Sequence, residues 1–161
     1  MDRILLWLHL LSLAAYVGTS VAFVLAILPM IERLESHDLR LRMLAAVLQR
    51  LNPFVIAVLG VLVMTGAFGL TAYKARLGPA FFPRIGEPLV LQLGLAFVLV
   101  MGATYVVFGL GHRIVRAVQW DEPMPPERLA SLLRRMRMVT LVNLALSAWI
   151  TWVALAIPAG R

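Results

Sequence analysis

His9, Ser12, Tyr16 and Ser20 follow one another at offsets of three, seven and eleven. On a helix that spacing puts all four on one face. An imidazole and a phenol flanked by hydroxyls can ligate a metal or haem iron, relay a proton, or hydrogen-bond to a neighbouring helix. The stretch that holds them, Ile4–Ile31, has no Asp, Glu, Lys or Arg. Ionisable groups in such surroundings are costly and are functional candidates by default. His9 is the one imidazole well inside an apolar run. As a structural residue it would donate to a backbone carbonyl or to Tyr16; as a functional one it would be a haem or metal ligand or a proton relay.

Other apolar stretches carry related stripes. Thr140, Asn143, Ser147 and Thr151 repeat the same offsets, Gly60, Thr65, Gly66 and Gly69 lie in a second stretch, and Gln92, Gly102 and Gly109 in a third. Small residues let helices approach, and hydroxyls and amides hydrogen-bond between them, so these stripes are expected to pack helix against helix. Met64 and Met101 are isolated thioethers that suit packing better than copper(I) ligation.

The elements that position these groups follow from composition. The chain has 161 residues, of which 61% are hydrophobic and 14% charged, with a mean hydropathy of +0.89. A water-soluble domain of this size has too little interior for that much apolar surface. Four runs lack acidic and basic residues: Ile4–Ile31, Pro53–Tyr73, Pro88–Gly111 and Met138–Ile157. Each reaches the roughly 20 residues a spanning helix needs. The first is too long for a signal-peptide core and is read as retained. The sequence therefore predicts an all-α, integral membrane four-helix bundle forming a single domain over residues 1–161, multi-pass in a bacterial inner membrane, with the lipid bilayer as its main partner.

Ten basic residues, including Arg33, Arg50, Arg113 and Arg137, lie in the first and third connections, and five lie on the other side. The bias places the first and third connections in the cytoplasm and both termini on the outer, periplasmic side. It also accounts for the formal charge of +7 without any nucleic-acid partner. His9 and Gln92 then fall at nearly one level in the outer half, with Tyr16 about two turns deeper. His112 belongs at the opposite end, roughly 25–30 Å away, so the two histidines are not paired axial ligands of one haem.

Prolines suggest the helix limits. Pro53 is expected to open the second span behind an Asn52 cap, and Pro88 the third behind Glu87. Leu77–Pro88 reads as an outer loop whose Phe81 and Phe82 dip into the interface. Pro123 and Pro125 interrupt helix, and Pro126 suits a helix start. Leu129, Leu132, Leu133 and Met136 then recur at helical spacing among arginines, which reads as a basic amphipathic turn on anionic lipid. Leu39, Met43, Ala46, Val47 and Arg50 are expected to share one face of a similar helix leading to Pro53, and His37 reads as a solvated loop residue. Asp2 and Glu87 are the only outer acids. There is no cysteine, so thiolate metal sites and iron–sulfur clusters are excluded. No carboxylate pair, nucleophile–base arrangement or glycine loop is present, and a non-enzymatic role is expected.

The segments "LHLLSLAAYVG", "ILP", "RLNPFVIAVLGVLVMTGAFGL" and "RRMRMVTLVNLAL" resemble the CopD-like (copper-resistance D domain) four-helix membrane proteins and, more distantly, the HemJ-type protoporphyrinogen oxidases. The resemblance implies that His9 takes the place of the span-one histidine tied to haem b in the HemJ-type branch. It also implies that Arg50 is the basic residue before span two. Relatives show Trp followed shortly by Lys in span three, whereas this chain has "PLVLQLGL" with Gln92 there. Tyr16 replaces the usual Trp. His9, Gln92, Tyr16 and Arg50 are thus the candidate cofactor-binding residues, and His9 the candidate metal ligand. The expected roles are copper handling or holding a cofactor near the outer face. The alternatives are an accessory subunit of a respiratory or photosynthetic complex, joined to other membrane subunits or to copies of itself, and a haem-b oxidase.

Overall fold

A computed structural model describes residues 3–156; Asp2, Ile157 and Arg161 lie outside the described residues. Four helices make up the fold: α1 (Arg3–Glu32), α2 (His37–Leu77), α3 (residues 81–119) and α4 (Pro126–Ala156). Each includes a stretch long and apolar enough to cross a membrane, and no strand occurs among the described residues. The helices run up, down, up, down. α1 packs on α2 and α4, and α3 packs on α4 and α2. One end of the bundle holds the joint between α2 and α3. The other, the basic end, holds the two remaining connections and their arginines.

Two helix starts differ from the sequence expectation. Pro53 lies inside α2, and Asn52 caps nothing. The helix begins sixteen residues earlier, where the Ser36 hydroxyl accepts from the Leu39 N–H at 3.4 Å. Residues 37–52 stay helical because a different face from the expected one, with Leu44, Ala45 and Leu48, is buried, whereas Leu39, Met43 and Ala46 are exposed. That burial offsets the missing N–H of Pro53. At 41 residues, α2 is about 60 Å long, twice the thickness of a bilayer's hydrocarbon core. Leu77–Pro88 is likewise no loop. α2 stops at Gly78, whose φ of +52° favours glycine and whose N–H bonds the Lys74 carbonyl. A short 3₁₀ turn, Gly78–Ala80, leads straight into α3 at Phe81, so Pro88 is a helix-interior residue. Phe81 is buried and Phe82 exposed, their rings edge-to-face at 5.2 Å.

The best-packed core sits at the basic end. Phe23, Leu28 and Ile31 of α1, Leu44 and Leu48 of α2, Leu110 and Ile114 of α3, and Leu129, Leu132, Leu133 and Met136 of α4 form one cluster. The start of α4 therefore packs on protein and not on lipid. Charges flank these segments, so water surrounds them, and the hydrophobic effect drives their apolar faces together. The prolines act as expected: α4 begins at Pro126. Before it, α3 ends with Asp121 at a φ of 51° and the Glu122 N–H on the Ala117 carbonyl, 2.9 Å. His37 is half-buried, and its Nε2–H donates to the Met124 carbonyl at 2.8 Å, pinning the start of α2 to the proline-rich connection. Arg137 and Glu32 pair across α4 and α1 at 2.6 Å.

Nearer the joint the core is thinner, with Tyr16, Leu59, Leu99 and Ala103 at its centre. Trp7, Val90, Phe97 and Trp152 point outward here. Two helices carry a widened, π-helical turn: Phe23–Ile27 in α1 and Tyr105–Gly111 in α3.

Candidate functional site

The polar face of α1 turns inward. Ser12, Tyr16 and Ser20 are buried and His9 is half-buried. His9 Nδ1 lies 2.9 Å from the Thr65 hydroxyl on α2. That hydroxyl is itself 2.7 Å from the Val61 carbonyl and 3.1 Å from the Leu62 carbonyl. It has one proton, which serves either a helix carbonyl or His9 Nδ1. With the proton on a carbonyl, the hydroxyl accepts from His9, the neutral ring carries its proton on Nδ1, and Nε2 keeps the lone pair; with the proton on His9 the roles reverse. The ring also lies against Gly66, where a Cβ would stand in ordinary contact at 3.4 Å from His9 Cε1.

Tyr16, 3% exposed, faces α4 instead. Its phenol oxygen accepts from Asn143 Nδ2 at 3.1 Å, and the same amide nitrogen donates to the Leu99 carbonyl on α3 at 3.2 Å. One side chain of α4 thus ties three helices. Gly102 is needed for this: a Cβ there would lie 2.4 Å from Asn143 Oδ1 and 3.0 Å from Nδ2. Ser147 and Thr151, from the same stripe, bond back to carbonyls of their own helix. The Gly109 side faces its own helix, where a Cβ would meet the Tyr105 ring at 2.8 Å.

The four candidate ligands do not form one constellation. His9 is engaged with α2 and Tyr16 with α4, and Gln92, half-buried on α3, hydrogen-bonds neither among the described residues. Arg50 is exposed and lies fifteen residues along α2 from Thr65, about 22 Å. His112 is exposed beyond the widened turn of α3. Met64 lines an apolar groove of about 330 Å³ between α2 and α3, and Met101 is exposed. Among the described residues no three His, Cys, Asp or Glu side chains group to hold a metal.

A cavity of about 50 Å³ lies deeper, next to Tyr16 and Asn143, with Asn52 and Thr140 also on its wall. Asn52 is not legible in the sequence as a wall residue, because its place before Pro53 reads as a helix cap. The offset of Thr140 from Asn143 was the one available signal for the other side. No family model, curated protein or solved structure matches the chain.

Proposed function

We propose that the chain is a non-enzymatic, CopD-like protein of a bacterial inner membrane. Its basic end faces the cytoplasm, and it presents His9 Nε2 as a single oriented ligand near the outer face. The 2.9 Å contact between His9 Nδ1 and the Thr65 hydroxyl carries this reading, in the tautomer with the ring proton on Nδ1. Ligating histidines characteristically donate their second ring nitrogen to a fixed acceptor, which sets tautomer and orientation. One imidazole could ligate the iron of a haem b. It is too few donors for a closed copper site, so copper would need further ligands from a partner. Bound there, such a group would supply redox chemistry, while His9 and Thr65 hold it in place. The absence of a lysine where Gln92 stands speaks against the HemJ-type oxidase reading. A second reading, an accessory subunit of a larger membrane complex, is supported by the broad outward apolar faces with Trp7, Phe97 and Trp152. Lipid or neighbouring subunits would cover those faces.

Purification in mild detergent, followed by an absorption spectrum, copper analysis and intact mass, tests this. The expected result is a Soret band or bound copper that His9→Ala abolishes and Thr65→Val weakens about tenfold or more. A colourless, copper-free protein that takes up neither haemin nor copper(I) refutes the ligand reading. Co-purification with a stoichiometric complex, without a chromophore on this chain, establishes the second.

A further inference from the structure

The 50 Å³ cavity sits where the two cores meet: Phe23 and Leu48 on its wall belong to the basic-end cluster, Tyr16 and Ala103 to the other. Its wall is mostly apolar, with six uncharged polar residues among the thirteen that line it: Tyr16, Thr19, Ser20, Asn52, Thr140 and Asn143. Thr140 is only 7% exposed. It makes no hydrogen bond to protein among the described residues, whereas Thr65 and Thr151 satisfy their hydroxyls on carbonyls of their own helices. The Thr140 hydroxyl is not shut off from the space it lines, so a water in that space can reach it.

The backbone is irregular at the same level. The widened turn of α1 brings Phe23 to the wall, and that of α3 brings Val106 and Val107. In α2, Pro53 follows Asn52 directly and leaves the Gln49 carbonyl without its helical donor. Gly111 completes the space, since a Cβ there would lie 3.0 Å from Asn52 Nδ2. Three helices thus interrupt their regular ladders around one half-open pocket, mostly apolar with a few polar groups on its wall.

We propose that the cavity is a hydration site: a small water cluster, bonded to Thr140 and Asn52, that bridges α4 and α2 across the bundle diagonal. A water needs roughly 10–15 Å³ of such space and two or more polar partners, so the volume and the lining accommodate about three. Uncharged walls select a neutral hydrogen-bonding occupant over an ion. The site is independent of His9.

Two measurements on the full chain in lipid nanodiscs test it. In X-ray radiolysis, which generates hydroxyl radicals from bound water, Tyr16 and Phe23 are modified faster than Phe81, after correction for intrinsic reactivity. All three rings are nearly inaccessible from outside. Equal protection of Tyr16, Phe23 and Phe81 overturns the proposal. In thermal unfolding, the isosteric Thr140→Val lowers Tm by about 2–4 °C, Asn52→Leu does likewise, and the double variant loses less than the sum. Thr151→Val is the control and leaves Tm unchanged. An unchanged or raised Tm in Thr140→Val overturns the proposal. So does a fall in Tm when sodium is replaced by choline, which assigns the cavity to a cation.

Discussion

Gly102→Ala is the most demanding probe of the interior. A Cβ at this position meets both ends of the Asn143 amide, Oδ1 at 2.4 Å and Nδ2 at 3.0 Å, so flipping the amide gives no relief. Asn143 must leave its pocket, or α3 and α4 must separate. Leaving breaks the bonds to Tyr16 and to the Leu99 carbonyl. Side-chain hydrogen bonds between membrane helices contribute about 0.6 kcal/mol on average and up to about 1.7, and buried polar groups are left without partners. The expected loss is about 2 kcal/mol, or about 4–8 °C in Tm for a chain of this size. In an Asn143→Ala background the obstruction is gone, and the same substitution costs less than about 0.5 kcal/mol, because alanine favours helix over glycine. The assay is a double-mutant cycle on reversible unfolding in mixed micelles, read by tryptophan fluorescence. If Gly102→Ala costs as much with alanine at position 143 as with asparagine, the glycine does not serve the amide and the reasoning fails.

Three further outcomes follow from the packing. Leu44→Ala, in the basic-end core, costs about 2–5 kcal/mol, whereas Leu91→Ala, 51% exposed on α3, costs less than about 1 kcal/mol in lipid, where the removed methyl groups are replaced by acyl chains; the same unfolding assay compares them. His37→Ala releases the Met124 carbonyl and costs about 1 kcal/mol; limited chymotrypsin digestion shows faster cleavage after Trp120. Arg137→Ala removes a half-exposed pair with Glu32 and costs under about 1 kcal/mol, a difference that disappears in high salt.

Hydropathy made the four spans and the inward face of α1 legible, because the absence of charge over 20 or more residues and a polar stripe at helical spacing both survive into the fold. Periodicity names a face and not its partner. It placed His9 and Tyr16 together, yet the one reaches Thr65 on α2 and the other Asn143 on α4. Pro53 and Pro88 misled for a different reason. A proline is cheapest at a helix start, but burial of Leu44, Ala45 and Leu48 on the turns before Pro53, and of Phe81 at the start of the helix that holds Pro88, outweighs its cost inside one. The arginine-rich start of α4 looked like a lipid-surface helix because the sequence shows its apolar face without showing the three other faces that meet it.

The passage of α2 through Pro53 has a mechanical consequence. Residues 37–52 extend about 24 Å beyond the apolar stretch, and the missing Pro53 N–H makes the junction the softest point of the helix. Leu44, Ala45 and Leu48 fix the extension in the basic-end core. A change in the tilt of the apolar part is then taken up as a bend at Pro53, while the end that His37 pins to the Met124 carbonyl stays in place.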